Sequence, residues 1–218
     1  MNPSAESEAV IGFSTGGSSR LRSPVHRVVL ATHNPGKIRE FKQHLSRLPW
    51  QVSTSLDLRL PEPAEVGTSY EENAAIKAIE TAERTGQIVL ADDSGLEVNS
   101  LEGAPGVYTA LWAGSAKDYG LAMNRLNREL QPFKDRSASF LCTLILAAPG
   151  GDCLIFRGSI EGTIVWPPRG ARGFGFDPVF VANGHTHTFA ELAEETKSAM
   201  NHRARAFDAL VDFFTKSS

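Results

Sequence analysis

The first half of the chain alternates between two hydrophobic patterns. Short runs of apolar, often β-branched residues have the length of buried strands, whereas other segments repeat an apolar side chain every three or four positions, as a helix does. Either Thr68 or Ser69 can begin the second helix with a glutamate three residues later, and Gly86 supplies its stop signal. The elements predicted for this half are a strand at 25–31, a helix at 37–48, a helix at 69–84, and strands at 88–91 and 96–98.

The second half continues this alternation and ends in a helix. The tetrapeptide PGGD at 149–152 is a hairpin signal between two apolar, strand-like runs. The elements predicted here are a helix at 115–130, strands at 137–148 and 154–165, and a helix at 194–214 whose apolar stripe is Met200, Ala204, Phe207, Val211 and Phe214. Helices interleaved with strands and followed by a hairpin predict an α/β fold with a mixed sheet, in a single domain over residues 25–218.

Residues 1–24 are predicted to be a flexible leader outside this domain. They are rich in Ser and Gly and lack the continuous apolar segment that a secretory signal requires. No stretch of the chain reaches the roughly 18 apolar residues of a membrane span. We therefore expect no membrane partner.

Charge and cysteine content narrow the function classes. The formal net charge is -3, and no long basic run compensates for it, which argues against a general nucleic-acid binder. The 2 cysteines, Cys142 and Cys153, lie in apolar, strand-like segments and are too few for a disulfide framework. This usage is typical of a reducing cytoplasm, where we expect the protein.

The segment IVLADDSGLEV, residues 88–98, places Asp92 and Asp93 directly after an apolar run. Buried carboxylates are costly unless they are paired or bind a metal. One interpretation is a turn, because Asp-Asp-Ser-Gly is common turn chemistry. The other is a metal site at the tip of a strand. Adjacent strand residues point to opposite faces, so only one of the two carboxylates is expected to be a ligand.

A glutamate from another loop would extend such a site. Mg²⁺ prefers one or two carboxylates together with water and substrate phosphates. Glu65 precedes the predicted helix that leads to the aspartates, and it is the candidate second ligand. On that helix, Glu72 and Lys77 are candidates for orienting the site.

The loop THNPGK, residues 32–37, joins a predicted strand to a predicted helix. Backbone N–H groups and the helix dipole favour an anion at such a junction. Gly36 allows a close approach of the backbone, and Lys37 adds a positive charge that opposes the helix dipole, which suggests a role other than helix stability. The alternative is an ordinary loop with a surface lysine, and the spacing is not that of a P-loop.

The glycines of GARGFG, residues 170–175, do not match the dinucleotide-binding fingerprint in order or context. Phe174 and Phe176 beside Asp177 would suit a purine, with stacking on a ring and hydrogen bonding at the base edge. The alternative is packing in the core, which aromatic residues favour more often than not.

Histidines occur in two C-terminal settings. His185 and His187 are interpreted as solvated loop residues, because no further metal ligands accompany them. Helical spacing places His202 roughly opposite the apolar stripe, with Arg203 beside it, so both are predicted to face solvent. Together with Lys197 they could frame a ligand.

Six segments in order closely resemble the inosine triphosphate pyrophosphatase family, also called dITP/XTP pyrophosphatases. The resemblance begins near Val28 and extends to the C-terminal helix. The segments are ATHNPGKIREF, EVGTSYEENAAIKA, LADDSGLEV, GAPGVY, GFGFDPVF and FAEL…EETKSAMNHRARAF. Random sequences do not share six such segments in the same order.

The resemblance implies a long mixed sheet in two lobes with a nucleotide cleft, a homodimer, and Mg²⁺-dependent hydrolysis of dITP, ITP and XTP to monophosphate and pyrophosphate. Asp93 is implied as the catalytic base, and Glu65 and Asp93 as metal ligands. The substrate-binding residues implied are Thr32, His33, Asn34, Pro35, Gly36, Lys37, Ser94, Phe174, Gly175, Phe176, Asp177, Lys197, His202 and Arg203.

Two positions depart from the family pattern. Leu111 stands where an arginine is usual, which puts any salt bridge or interface of that arginine in doubt, and Asn201 replaces the usual serine before His202. Competing interpretations are a Maf-like pyrophosphatase with another base preference and a nucleotide sensor without catalysis. The residues around Phe174 disfavour the first, and the retained carboxylates with Lys37 disfavour the second.

Overall fold

A computed structural model of the protein describes residues 9–12, 21 and 27–216. Its strands are β1 (Ala9–Gly12), β2 (Arg27–Leu30), β3 (Gln51–Thr54), β4 (Ile88–Val98), β5 (Ser137–Ala147), β6 (Cys153–Ile164) and β7 (Phe180–Ala182). Its helices are α1 (Pro35–Leu45), α2 (Tyr70–Thr85), α3 (Thr109–Trp112), α4 (Tyr119–Leu130), α5 (Glu194–Met200) and α6 (His202–Lys216). In the described residues no helix is long and apolar enough to cross a membrane.

The strands form one mixed sheet. Its order is β1-β6-β5-β4-β2-β3, and β7 pairs with β6 outside this path. β2 pairs in parallel with both β3 and β4, whereas β6 pairs antiparallel with β1 and β7. The predicted α/β class with a mixed sheet is therefore confirmed.

The chain divides into two compact units. The first contains residues 1–93, 142–158 and 204–218, and the second contains residues 94–141 and 159–203. The unit boundaries fall inside β4, β5, β6 and α6. The prediction of a single domain over residues 25–218 stays a prediction.

The first unit has an apolar core on each face of its part of the sheet. Alternate residues of β2 and β4 divide between the two cores, since Leu30 and Leu90 pack with α1 and α6, and Val29 and Val89 pack with α2. The α2 side is lined by small residues, Ala74, Ala78 and Ala82, at helical spacing. This alternation is what a strand covered on both faces requires.

The second unit has its own core. Residues of β4 and α4 pack there with aromatic side chains, among which Phe140 contacts Phe180 at a ring separation of 4.7 Å and Phe189 at 6.0 Å. Leu126 and Leu130 of α4 are buried in the same cluster. The predicted helix at 115–130 is thus present from Tyr119, with Asp118 as its N-cap.

The start and end signals of α2 were read correctly from the sequence. The Ser69 side chain accepts a hydrogen bond from the Glu72 backbone N–H, and Gly86 ends the helix at a φ of 64°. The Glu72 carboxylate accepts hydrogen bonds from the backbone and hydroxyl groups of Thr68. Glu72 therefore fixes the helix start and has no contact with the aspartates that it was expected to orient.

Two elements differ from the prediction. β4 is one continuous strand of 11 residues, so Asp92 and Asp93 lie neither in a turn nor at a strand tip. The predicted C-terminal helix is two helices, because Asn201 has an extended backbone with a ψ of 171° between α5 and α6. The residues of the predicted apolar stripe that lie in α6, Ala204, Phe207, Val211 and Phe214, are all buried.

Part of the predicted leader belongs to the first unit. Ala9–Gly12 pairs with Cys153–Phe156 of β6, and Leu21 is buried in the core on the α1 side. For these residues the expectation of a segment outside the domain is wrong, since ladder pairing and apolar burial hold them. The rest of residues 1–24, and Val25 and His26 of the predicted strand, lie outside the described residues.

Candidate active site

Parallel pairing brings two loops of the first unit to the same edge of the sheet. β2 and β4 are in register at Leu30 and Leu90, and the Ala31 N–H donates to the Leu90 carbonyl at 2.9 Å. Beyond this point β2 turns into the loop of residues 32–34, while β4 continues into Asp92 and Asp93. The carboxyl ends of parallel strands are where open α/β sheets bind ligands.

The loop after β2 is held by its own side chains. Asn34 is the N-cap of α1, and its side-chain oxygen accepts from the N–H groups of Gly36 and Lys37 at 2.9 and 3.3 Å. The Asn34 N–H donates to the Thr32 hydroxyl at 3.2 Å. Pro35 opens the helix, and the Nε2 atom of His33 is buried. The predicted anion-binding loop is thus a rigid helix start.

Lys37 and Asp92 form an ion pair at 2.8 Å. The Asp92 side chain is only 1% exposed, and that of Lys37 is 16% exposed. The pair explains why a lysine stands in the first turn of α1 against the helix dipole. Asp92 thereby faces α1, the helix that begins beside it.

Asp93 faces the opposite side, as the strand geometry predicts. The Lys77 ammonium of α2 lies 3.9 Å from Asp93 Oδ1 and 2.5 Å from Glu65 Oε1. Burial raises the pKa of Asp93 to about 6, although Lys77 and Lys37 act in the opposite direction, and the charges of Glu65 and Asp92 raise it further. These five residues, Lys37, Glu65, Lys77, Asp92 and Asp93, are called the carboxylate–lysine group.

The donor set of this group fits a hard cation bound together with phosphates. Glu65 and Asp93 both lie within 4 Å of one ammonium, which shows that a single cation can contact both carboxylates. Oxygen donors of this kind are those that Mg²⁺ prefers, and it needs no more than one or two from the protein when a phosphate is bound. Over the described part of the chain, no three or more His, Cys, Asp or Glu side chains cluster as a full metal cage.

Asn73 is a neighbour of Asp93 that sequence analysis missed. Its side-chain amide donates to Asp93 Oδ2 at 3.1 Å, and its side-chain oxygen accepts from the Gly67 N–H at 2.8 Å. Asn73 is one helical turn before Lys77, so the signal that could have revealed it is the i, i+4 spacing of two polar residues on a buried helix face.

In the second unit, an ion pair lies beside an aromatic ring. Lys197 Nζ is 2.6 Å from Asp177 Oδ2, and both side chains are 5% exposed. The same oxygen accepts from the Phe174 N–H at 2.8 Å, and the Lys197 ammonium is 4.6 Å from the centroid of the Phe174 ring. A Cβ at position 173 would lie 2.1 Å from that oxygen, so only glycine fits there.

Arg203 joins this set from the start of α6. Its guanidinium carbon is 5.4 Å from the Phe174 centroid, and its Nη2 donates to the Ser94 hydroxyl at 3.2 Å. His202 stacks on Phe140 at a ring separation of 4.9 Å. Ser94, Phe174, Asp177, Lys197 and Arg203 are called the aromatic–cation group.

One prediction about this region, the exposure of His202 and Arg203, needs correction. His202 and Arg203 are each only 3% exposed and do not face solvent, because His202 stacks on Phe140 and Arg203 contacts Phe174 and Ser94. Phe176 is 1% exposed and contacts Tyr119 edge to face in the core, which is the alternative that the sequence left open. Phe174 is half-buried, and Gly175 has a φ of 68° between the two rings.

Comparison with known proteins agrees with these features. The sequence model of the Ham1 family matches residues 28–213. A dITP/XTP pyrophosphatase of Zymomonas mobilis is 46% identical over 195 residues, which cover 88% of this chain and 93% of the relative. One of Brucella melitensis is 46% identical over 198 residues, covering 83% of this chain and 90% of the relative.

Solved structures are similar as well. A HAM1 protein from Coxiella burnetii is 36% identical, with a TM-score of 0.82 over 88% of this chain and 99% of its own. The Ham1 protein of Staphylococcus aureus is 34% identical, with a TM-score of 0.80 over 88% of this chain and 100% of its own. The resemblance predicted from the six sequence segments is confirmed, and the chain belongs to the Ham1 family.

Proposed function

We propose that the protein is a pyrophosphatase that converts dITP, ITP and XTP to the monophosphate and pyrophosphate. The observation that carries this proposal is the carboxylate–lysine group, which lies beside the start of α1 and the middle of β4. The proposal is supported by relatives of nearly the same length that are dITP/XTP pyrophosphatases.

The triphosphate is assigned to the start of α1. The positive end of the α1 dipole and the Lys37 ammonium supply positive charge to phosphate oxygens, while the N–H groups of Gly36 and Lys37 donate to Asn34. Lys77, buried between Glu65 and Asp93, adds a second ammonium. Phosphoryl transfer depends mainly on positioning and charge neutralisation, and these residues provide both.

Asp93 is assigned as the base that takes a proton from the attacking water. Its pKa of about 6 lies close enough to neutrality for a carboxylate to accept a proton and release it again. Water adds to the α-phosphorus, and the oxygen that bridges the α- and β-phosphorus atoms leaves with pyrophosphate. The proton of the attacking water passes to Asp93. Glu65 and Asp93 would hold Mg²⁺, which supplies further neutralisation of phosphate charge when bound.

The base is assigned to the aromatic–cation group. Lys197 and Arg203 are donors beside the Phe174 ring, and hypoxanthine and xanthine offer a 6-keto acceptor. Adenine presents a 6-amino donor at that position, so its N–H groups would oppose the donors of Lys197 and Arg203. A buried polar group left unpaired costs on the order of 1–3 kcal/mol, so two mismatches give roughly a hundredfold discrimination or more.

A substrate panel tests this function. Pyrophosphate and monophosphate are quantified with dITP, ITP, XTP, ATP, GTP and modified pyrimidine triphosphates, in Mg²⁺ and in chelator. We expect equal amounts of both products, dependence on Mg²⁺, and kcat/KM for the first three at least about a hundredfold above ATP. Comparable kcat/KM for ATP and ITP would contradict the base assignment.

The same panel separates the competing functions. A Maf-like activity would cleave the modified pyrimidines in preference to the purines, and a sensor would bind nucleotide without releasing pyrophosphate. We also propose Mg²⁺ as the metal, a homodimer as the assembly, and the cytoplasm as the location. Light scattering of the purified protein tests the dimer.

A further inference from the structure

Asn73 connects two parts of the carboxylate–lysine group. It is 3% exposed, in the first turns of α2. Its Oδ1 accepts from the Gly67 N–H at 2.8 Å, and its Nδ2 donates to Asp93 Oδ2 at 3.1 Å. One side chain therefore ties the segment that carries Glu65 to the carboxylate of Asp93.

The orientation of the Asn73 amide is fixed by chemistry. A backbone N–H can only donate, so the side-chain atom that faces Gly67 must be the oxygen. The NH₂ group is then directed to Asp93, where it favours the charged carboxylate through Oδ2. Asp93 Oδ1 is the oxygen nearer Lys77, at 3.9 Å. The two oxygens of Asp93 consequently have different partners.

Gly67 is fitted closely to this arrangement. A Cβ at position 67 would lie 2.6 Å from the Glu72 Cβ and 2.8 Å from Asn73 Oδ1. Both distances are shorter than real Cβ contacts, and Glu72 is held at the helix start by Thr68. An alanine at position 67 must therefore displace the segment or the Asn73 side chain.

We propose that Asn73 is a positioning residue, which sets the rotamer of Asp93 and the distance between Asp93 and Glu65. In this role Asn73 acts through its hydrogen bonds to Gly67 and Asp93. The proposal rests on the assignment of Asp93 and Glu65 in the proposed function. Groups that orient metal ligands typically cost 10–100-fold in affinity or activity when they are removed.

Three variants separate the two hydrogen bonds. Asn73→Leu removes both at nearly constant volume, Asn73→Asp keeps the acceptor for Gly67 but replaces the donor to Asp93 by a second carboxylate, and Gly67→Ala disturbs the same contact from the opposite side. Asn124→Leu, at an exposed position of α4, is the matched control. Each variant is compared with wild type by melting temperature, kcat and KM for dITP, and amide exchange at Gly67. Mn²⁺ binding is measured by electron paramagnetic resonance with inorganic pyrophosphate present.

We expect kcat to fall about 10–100-fold in Asn73→Leu, with KM for dITP changing less than about threefold, and Mn²⁺ to bind about 10–100-fold more weakly. Gly67 should lose exchange protection in Asn73→Leu but keep it in Asn73→Asp, which should still lose kcat. Gly67→Ala combined with Asn73→Leu should cost no more than the worse single variant, because both break one contact.

Several results would overturn the inference. A wild-type protein that binds Mn²⁺ no more tightly than Asn73→Leu, or an Asn73→Asp variant with wild-type kcat, would remove Asn73 from this role. If Asn73→Leu fails to fold, the decision passes to Asn73→Asp and Gly67→Ala. If wild type releases no pyrophosphate, the proposed function fails, while Mn²⁺ binding and exchange at Gly67 still decide the role of Asn73.

Discussion

The carboxylate–lysine group and the aromatic–cation group bury charge in opposite ways. In the first, three carboxylates face two ammonium groups, which leaves one excess negative charge, and burial raises the pKa of Asp93 to about 6. In the second, Asp177 pairs with Lys197, and the Arg203 guanidinium lies beside the Phe174 ring. A group rich in carboxylates suits a cation, and donors beside an aromatic ring suit the carbonyl oxygen of a base.

The pairing of Asp177 and Asp93 indicates which of these two carboxylates is suited to proton transfer. Asp177 is held by a lysine and a backbone N–H at once, so its charge is fully paired and its task is to orient Lys197 and Phe174. Asp93 lies 3.9 Å from the Lys77 ammonium, which also pairs with Glu65. A carboxylate with a raised pKa is suited to proton transfer, whereas a tightly paired one is suited to recognition.

The largest expected effect is that of Asp93→Asn. Loss of the base should lower kcat about 10²–10⁴-fold with dITP. Steady-state pyrophosphate release measures it, with Asp212→Asn on the exposed face of α6 as the control. Activity within tenfold of wild type would remove Asp93 from the role of base and reduce the contrast between the two groups.

The same variant should be more stable than wild type in chelator. Because the pKa of Asp93 is raised from 3.8 to about 6 on folding, the native state binds more protons between these values, and stability falls as pH rises through that window. A neutral asparagine avoids this cost, which is up to about 3 kcal/mol at pH 7. Urea unfolding should show the gain at pH 7 and none below about pH 4; a pH-independent difference would contradict the assignment.

A smaller effect is expected for Arg203→Ala. Because Arg203 lies in the aromatic–cation group, its loss should reduce the ratio of kcat/KM for ITP to that for ATP about 10-fold or more. The inhibition constant of pyrophosphate should change less than about threefold, because pyrophosphate has no nucleobase to contact Arg203. Arg128→Ala on α4 is the control. Equal losses with both nucleotides and with pyrophosphate would show that Arg203 serves the phosphates instead.

Phe174 and Phe176 should respond differently to replacement by leucine. Stacking of a base on an aromatic ring contributes about 1–3 kcal/mol, so Phe174→Leu should raise KM for dITP several-fold or more with little change in stability. Phe176→Leu removes a buried core ring and should lower the free energy of unfolding by about 1–2 kcal/mol, with a smaller change in KM. The reverse outcome would exchange their roles.

Sequence reasoning predicted the carboxylate–lysine group better than the aromatic–cation group, for a physical reason. The first is built from local signals, since a strand, a capped helix start and a second parallel strand place Lys37 and Asp92 at one sheet edge. Even so, the continuation of β4 past Asp93 was not predicted, because Asp-Asp-Ser-Gly favours a turn unless pairing holds it. Asn73 was missed because its one signal, the i, i+4 spacing with Lys77, is shared by many polar pairs on exposed helix faces.

The aromatic–cation group depends on contacts between distant segments. The break between α5 and α6 occurs at Asn201, with neither proline nor glycine to signal it, so the helical period was extended across it. Burial of His202 and Arg203 depends on Phe140 and Ser94, which no local spacing reveals. Phe176 could not be separated from Phe174 because both satisfy the same pattern.

The smallest expected effect on catalysis concerns the N-terminal segment, and it sharpens the comparison by altering the first unit alone. Deleting residues 1–24 removes β1 and Leu21, both of which belong to that unit, and leaves the aromatic–cation group untouched. The preference for ITP over ATP should therefore be unchanged. Burial of one leucine contributes about 1.5–3 kcal/mol, which corresponds to a melting temperature lower by roughly 3–12 °C in a chain of this size. Deleting residues 1–20 keeps Leu21 and should lower the melting temperature less. Equal melting temperatures for both truncations and the full chain would show that Leu21 adds no stability, as expected for a leader outside the domain.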